Sequence, residues 1–221
     1  MNADEARKLI ESGRVDERTL KDILSFYGIS VPKGVTVKNI PDSLDLHYPV
    51  VLKVSDPEIL HKTEAGGVKT GIGDYSQLRI EFEKMFRKFP GKNFLIEEMI
   101  SSGVEIIIGA IDDESFGQVI MLGMGGIYTE LYKDVVFRLL PIDRNDAEDM
   151  INSVGVRKFV EGFRNIRVSG DELIRLLLKI SDFVTAIGSN VKQLDLNPVI
   201  LGNDSAVVLD AKLIQNPPNK L

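Results

Sequence analysis

Lys53 closes a short apolar run that begins at Val50, and the polar loop after it carries His61 and then the glycine pair Gly66-Gly67. A lysine at a strand end followed by glycines suits polyphosphate. The ammonium is a compact charge, and glycine lets backbone N–H groups come close to phosphate oxygens. A histidine's ordinary pKa of about 6.5 leaves most imidazoles neutral at pH 7, so His61 could act as a nucleophile toward phosphorus. The alternative is a loop histidine that is simply solvated. His47, before Tyr48-Pro49, has no polar cluster near it in sequence and reads as incidental.

A second group of residues is rich in hard oxygen. In DLNP, Asp195 and Asn197 are two apart on an expected strand and share a face, while Leu194 and Leu196 point the other way. Asp210 ends the next expected strand after a tight turn. Mg²⁺ takes such ligands and leaves its other positions to phosphates and water. A plain Asn-Pro turn is the competing reading. In LIEEMISSGVE, period two puts Glu97 and Met99 on one face and Glu98 on the other, with Glu105 opening the following strand. An adenosine site needs apolar walls, backbone donors and acceptors, and a carboxylate for ribose hydroxyls; a polar hairpin would look the same. In GMGGIYTELYKDVVFRLLPI, Gly123, Gly125 and Gly126 precede Lys133, Asp134 and Arg138. The segment has neither Walker nor GxGxxG spacing, and a glycine-rich turn is the alternative.

The elements that must position these residues follow from periodicity. Residues 3–12 and 17–27 read as helices, the second with Leu20, Ile23, Leu24 and Tyr27 at helical spacing and Gly28 as its stop. Strands are expected at 35–37, 50–54 and 68–72. Next comes a helix over 75–89 with a stripe of Leu78, Phe82, Met85, Phe86 and Phe89, ended by Pro90-Gly91. Strands follow at 94–99, 104–111, 118–122 and 135–140. Asp143 caps a helix to about 152, and Ser169 opens a long one that Gly188 ends. The last strands are 193–196 and 206–209, and the tail from Asn216 reads as loose. The order is α+β in two lobes, 1–97 and 98–221.

Composition narrows the class. The 221 residues are ample for a core, and 43% hydrophobic with 27% charged residues is ordinary for a globular protein. Net charge −6 with no basic run argues against nucleic acid. The absence of cysteine excludes disulfides, thiolate catalysis and Cys-ligated zinc. No apolar run suggests a membrane span and no signal-peptide pattern is present, so a cytoplasmic location is expected.

Three long motifs, in order, resemble the ATP-grasp β subunit of ADP-forming (NDP-forming) acetyl-CoA synthetases: YPVVLKVSDPEILHKTEAGGV, LIEEMISSGVEIIIGAIDDESFGQVIMLGMGGIYTELYKDVVFRLLPI, and LDLNPVI with VVLDAKL. A looser likeness to the β subunit of succinyl-CoA synthetase covers AGGVK, the Asn-Pro pair and LDAK. The resemblance implies an ATP-grasp fold whose two α/β lobes clasp ATP or ADP. It places Lys53 on the phosphates beside Gly66 and Gly67, Glu97 with Met99 and Ile100 at the adenine, Glu105 on the ribose, and Arg138 on the nucleotide. Asn197 and Asp210 would hold Mg²⁺. Asp195 stands where the succinyl enzyme has a glutamate, one methylene longer.

By the same resemblance, His61 is the second phosphorylatable histidine, on a mobile loop over 56–69. The first phosphohistidine, the CoA site and the acyl site would belong to a separate α subunit in an α2β2 assembly. The implied reaction is acyl-CoA + phosphate + ADP ⇌ carboxylic acid + CoA + ATP, with His61 and Asp195 as catalytic groups. A 14-residue loop tethered at both ends reaches roughly 20 Å at ~3.3 Å per residue, a distance between sites. Two other functions remain: a stand-alone ATP-grasp carboxylate–amine ligase, and a non-catalytic nucleotide-sensing module.

Overall fold

The computed structural model describes residues 3–13, 15–56, 59, 62–126 and 134–216. They divide into a smaller unit, 16–18 and 32–101, and a larger one, 1–15, 19–31 and 102–221. This corrects the expected split after residue 97. The boundary between the lobes falls after 101, and the N-terminal helices belong mostly to the larger unit. The reason is apolar burial. Helices α1 (Ala3–Glu11) and α2 (Glu17–Phe26) put Ala6, Ile10, Leu20, Ile23 and Leu24 into the core of the larger unit, each at most 1% exposed. At roughly 1.5–3 kcal/mol for each large side chain buried, that choice of partner outweighs sequence proximity.

The smaller unit is a four-stranded antiparallel sheet of β1 (Gly34–Val37), β2 (Val50–Ser55), β3 (Val68–Ile72) and β4 (Asn93–Glu98) in the order β1-β4-β2-β3. Helix α3 (Tyr75–Lys88) packs on it. Asp74 caps this helix by accepting from the Gln77 N–H at 2.8 Å. Leu78, Phe82 and Met85 are buried, as the helical spacing predicts. Phe86, expected on the same stripe, is 39% exposed and instead stacks on Phe82 with ring centroids 6.2 Å apart.

The larger unit holds a six-stranded antiparallel sheet of β5 (Val104–Asp113), β6 (Gly117–Met124), β7 (Val135–Leu139), β8 (Val191–Leu201), β9 (Ala206–Val208) and β10 (Ala211–Gln215). Its path is β10-β8-β5-β6-β7, with β9 paired to β8. Helices α4 (Arg144–Ser153), α5 (Val156–Glu161) and α6 (Gly170–Ile187) complete the unit. The expected caps are present. Asp143 forms a full capping box with Asp146, Ser169 accepts from the Glu172 N–H, and Gly188 ends α6 at a φ of 63°. Among the described residues, one helix and one strand escape the sequence reading. Helix α5 is short and its N-cap, Gly155, offers no side-chain oxygen, while β10 mixes exposed Lys212 and Ile214 into a five-residue run. The tail beyond Asn216 lies outside the described residues.

Candidate functional site

Strand β8 continues through Asn197-Pro198 to Leu201, so this pair is not a turn. Leu194 and Leu196 are buried at 1% and 0%, while Asp195 and Asn197 lie on the other face, as period two requires. The short link after β9 brings Asp210 back beside them. The Asn197 N–H donates to the Asp210 carbonyl oxygen at 3.2 Å, and the Leu209 N–H donates to the Pro198 oxygen at 2.9 Å. Burial pushes the Asp195 carboxyl above the usual carboxylate range, and repulsion from Asp210 adds to this, against a smaller opposing pull from Lys212.

Asp195, Asn197 and Asp210 thus offer hard oxygens at neighbouring positions on paired backbone. Burial is the larger cause of the Asp195 shift and Asp210 the smaller; the carboxylate and amide oxygens of Asp210 and Asn197 are of the hard type that fits Mg²⁺. A further support was not foreseen from residue order. Lys21, fully buried within the apolar stripe of α2, donates from Nζ to the Leu209 carbonyl oxygen at 2.7 Å, next to Asp210.

Glu105 opens β5 and packs against the glycine turn. The Gly125 N–H donates to the Glu105 carbonyl oxygen at 2.8 Å. A Cβ on Gly125 would lie 2.8 Å from the Glu105 carbonyl carbon, and one on Gly126 would lie 3.3 Å from its carboxylate. The glycines are therefore needed for this close approach, and they bring a carboxylate and a bare backbone turn together. Arg138 is not part of that face. It pairs across the sheet with Ile120, which lies in the core row of Ala110 and Leu194; Asp195 lies in the row of Gly109, Met121 and Phe137. Directly opposed residues share a face, so Arg138 points away from Asp195, and its Nη1 donates to the Phe137 oxygen at 2.9 Å. Arg138, expected on the nucleotide, therefore does not share a face with Asp195.

In the smaller unit Lys53 is 7% exposed on β2. Its Nζ lies 2.8 Å from Glu17 Oε1 and 3.1 Å from Glu97 Oε2. Lys62 Nζ reaches Glu17 Oε2 at 2.5 Å, and Arg18 lies 3.5 Å from Glu97 Oε1. Glu17 and Arg18 sit in the first turn of α2, and nothing in their spacing marked them as partners of Lys53.

The Glu97 side chain is 2% exposed and turned to Lys53. The Met99 N–H donates to the Pro49 oxygen and the Glu98 N–H to the Lys33 oxygen, both at 2.9 Å. Of the residues expected at the adenine, Ile100 follows in the half-buried link to the next strand. Gly66 and Gly67, expected beside the phosphates, turn their N–H groups to their own loop. Their N–H groups donate to the Thr63 oxygen at 2.9 Å and the Lys62 oxygen at 2.6 Å. Gly67 presses on β2 so closely that a Cβ would meet Val54 Cγ1 at 2.5 Å.

His47 also departs from expectation. Its backbone N–H and Nδ1 lie 2.9 and 2.8 Å from Glu98 Oε1, and these bonds hold the Glu98 carboxyl below the usual range, the backbone bond contributing most. His61 and Lys133 lie outside the described residues.

The ATP-grasp domain family matches residues 8–214. The β subunit of ADP-forming acetate–CoA ligase I from Pyrococcus furiosus is 33% identical, with 95% of this chain and 97% of that one covered. The 4-hydroxybutyrate–CoA ligase (ADP-forming) of Nitrosopumilus maritimus is 34% identical over 91% of this chain, which spans 31% of that longer protein. Among solved structures, the dinucleotide-forming acetyl-coenzyme A synthetase 1 of Ca. Korarchaeum cryptofilum, in complex with coenzyme A, Ca-AMPCP and HgCl+, superposes with a TM-score of 0.89 at 32% identity. That match covers 98% of this chain and 100% of that one. A second structure of that enzyme, with coenzyme A and Mg-AMPPCP, has its phosphohistidine segment pointing towards the nucleotide binding site; it matches with a TM-score of 0.85 at 32% identity, over 97% of this chain and 100% of that one. The chain thus belongs to the ATP-grasp family, and within it to the group of the ADP-forming acetate–CoA ligase β subunits.

Proposed function

We propose that this chain is the nucleotide-handling β subunit of an ADP-forming acid–CoA ligase, working with an α subunit that carries the CoA site and the first phosphohistidine. The reaction is acyl-CoA + phosphate + ADP ⇌ carboxylic acid + CoA + ATP. The observation that carries this reading is the backbone pairing of Asn197 with Asp210 beside Asp195, which puts groups of the hard-oxygen type that Mg²⁺ takes at adjoining positions. The near-full-length match to a β subunit supports a partner chain. We propose α2β2 stoichiometry and a cytoplasmic location; among the described residues no helix is long and apolar enough to cross a membrane.

In this mechanism the α subunit passes a phosphoryl group to His61, which carries it to ADP. A nitrogen–phosphorus bond breaks as a terminal ADP oxygen forms the new bond to phosphorus, and the imidazole recovers a proton. Lys53 neutralises charge on the nucleotide phosphates, Glu105 takes the ribose hydroxyls, and Asp195 orients the histidine. Asn197 and Asp210 would hold Mg²⁺, which when bound screens the phosphate charge. Phosphoryl transfer needs chiefly this positioning and charge neutralisation.

The test is to co-purify the chain with its partner and trace labelled phosphate onto His61 and from there to ADP. Replacing His61 with alanine is expected to abolish ATP formation while ADP–Mg²⁺ affinity stays near wild type. Full activity of that variant with the partner present would overturn the relay.

A further inference from the structure

We propose that Glu17 is a positioning residue for phosphoryl transfer, holding Lys53 and Lys62 on the two oxygens of one carboxylate. The inference rests on the reading above, in which Lys53 serves the nucleotide and His61 carries the phosphoryl group.

Glu17 Oε1 takes Lys53 at 2.8 Å and Oε2 takes Lys62 at 2.5 Å. The carboxylate is 3% exposed, and the two lysine side chains are 9% and 16% exposed. Two ammonium groups this close repel one another unless an anion lies between them, and burial makes the repulsion stronger than it would be in water. The pairs are charge-assisted, which makes them strong and directional. Lys62 is held through its backbone as well, because its carbonyl oxygen accepts the Gly67 N–H at 2.6 Å. Gly67 in turn packs on Val54 of β2, the strand that carries Lys53.

Lys62 follows His61 directly in sequence. Glu17 therefore ties the residue next to the phosphoryl donor and the lysine that serves the acceptor to a single point. Glu97 gives Lys53 a second partner, so Glu17 is not needed merely to neutralise it. What Glu17 alone does among these contacts is set the spacing of the two cations.

The test uses the full chain and the reverse half-reaction, ATP to His61. The nitrogen–phosphorus bond forms as the bond from the γ-phosphorus to the bridging oxygen breaks, ADP leaves with that oxygen, and the imidazole proton goes to solvent. Single-turnover labelling with γ-labelled ATP and Mg²⁺ is compared for wild type, Glu17→Gln, Lys62→Gln, the double variant and Lys62→Arg, with His61→Asn as control.

Loss of the positioning should slow transfer at saturating ATP by roughly 10–100-fold in each single variant, with ATP affinity within about threefold. The double variant should be no slower than the slower single one, because the two residues act as a pair. Lys62→Arg should recover most of the rate. Without nucleotide, tryptic cleavage after Lys62, relative to cleavage after exposed Lys38, should rise at least about tenfold in Glu17→Gln as the held segment opens.

Wild-type transfer rates in both single variants, additive losses, or an unchanged cleavage ratio would overturn the proposal. So would slow rates that higher ATP restores. If Glu17→Gln does not fold, Lys62→Gln and Lys62→Arg decide the question by transfer rate at saturating ATP and by ATP affinity. Label absent from wild type, or retained in His61→Asn, overturns the functional reading and this proposal together. His61-dependent labelling that ignores Glu17 and Lys62 overturns this proposal alone.

Discussion

The Lys53 ammonium lies 3.1 Å from a Glu97 carboxylate oxygen across the pairing of β2 with β4. Lys53 is opposed to Leu95 and Val51 to Glu97, so the two charges are diagonal neighbours on one face of the sheet. Both are nearly inaccessible to water. Glu97→Ala should therefore leave a buried ammonium with a weaker set of partners, at a cost of roughly 3 kcal/mol. Urea denaturation followed by circular dichroism measures it, and a loss below about 1 kcal/mol would mean that Glu17 alone suffices for Lys53.

The metal assignment predicts a specific loss. Asp210→Asn should weaken Mn²⁺ binding to the chain in the presence of ADP by about tenfold or more, read by electron paramagnetic resonance, with the fold retained. An unchanged affinity would remove Asp210 from the ligand set.

The position of Arg138 on the face opposite Asp195 makes a negative prediction. Arg138→Ala should leave ATP affinity, measured by calorimetry, within about twofold of wild type, as expected of a side chain that does not meet the ligand. A tenfold loss would show that its side chain reaches the nucleotide in spite of the register.

His47 and Glu98 predict a pH effect of defined sign. The folded-state pKa of Glu98 is lowered, first by the His47 backbone N–H and then by its side chain. The pair therefore stabilises the fold above the ordinary carboxylate range, and this contribution is lost as pH falls through the depressed pKa. His47→Ala removes only the side-chain part. The Glu98 carboxyl carbon, followed by nuclear magnetic resonance, should titrate higher in that variant but still below an unperturbed glutamate.

Gly67 predicts a steric cost. A Cβ there would stand 2.5 Å from Val54 Cγ1, whereas one on Gly71 meets nothing within 4 Å and faces only a φ of 71°. Gly67→Ala should destabilise by about 1–3 kcal/mol, through overpacking against β2. Gly71→Ala should cost about 1 kcal/mol from its backbone conformation alone. Thermal unfolding of the two variants compares them directly.

Much of this was legible in the residue order because it depends on neighbours in sequence. Period two placed Asp195 and Asn197 on one face of β8 and separated Glu97 from Glu98. Capping residues set the starts of α4 and α6, and long ordered motifs named the family. What tertiary structure decided depends on contacts distant in sequence. The same apolar stripe that predicts α2 says nothing of which core receives it, and burial sent it to the larger unit.

Glu17, 36 residues from Lys53, became its partner only because folding carried both out of water, where an ion pair must form or the charge is lost. The resemblance placed Arg138 on the nucleotide, but strand register puts it on the face opposite Asp195. A one-residue difference along a strand reverses the side to which a side chain points. The sequence by itself determined the family, the main elements and the shared face of Asp195 and Asn197 on one strand. Only the fold decided which charges meet, because a lone charge reveals its partner only when burial forces one upon it.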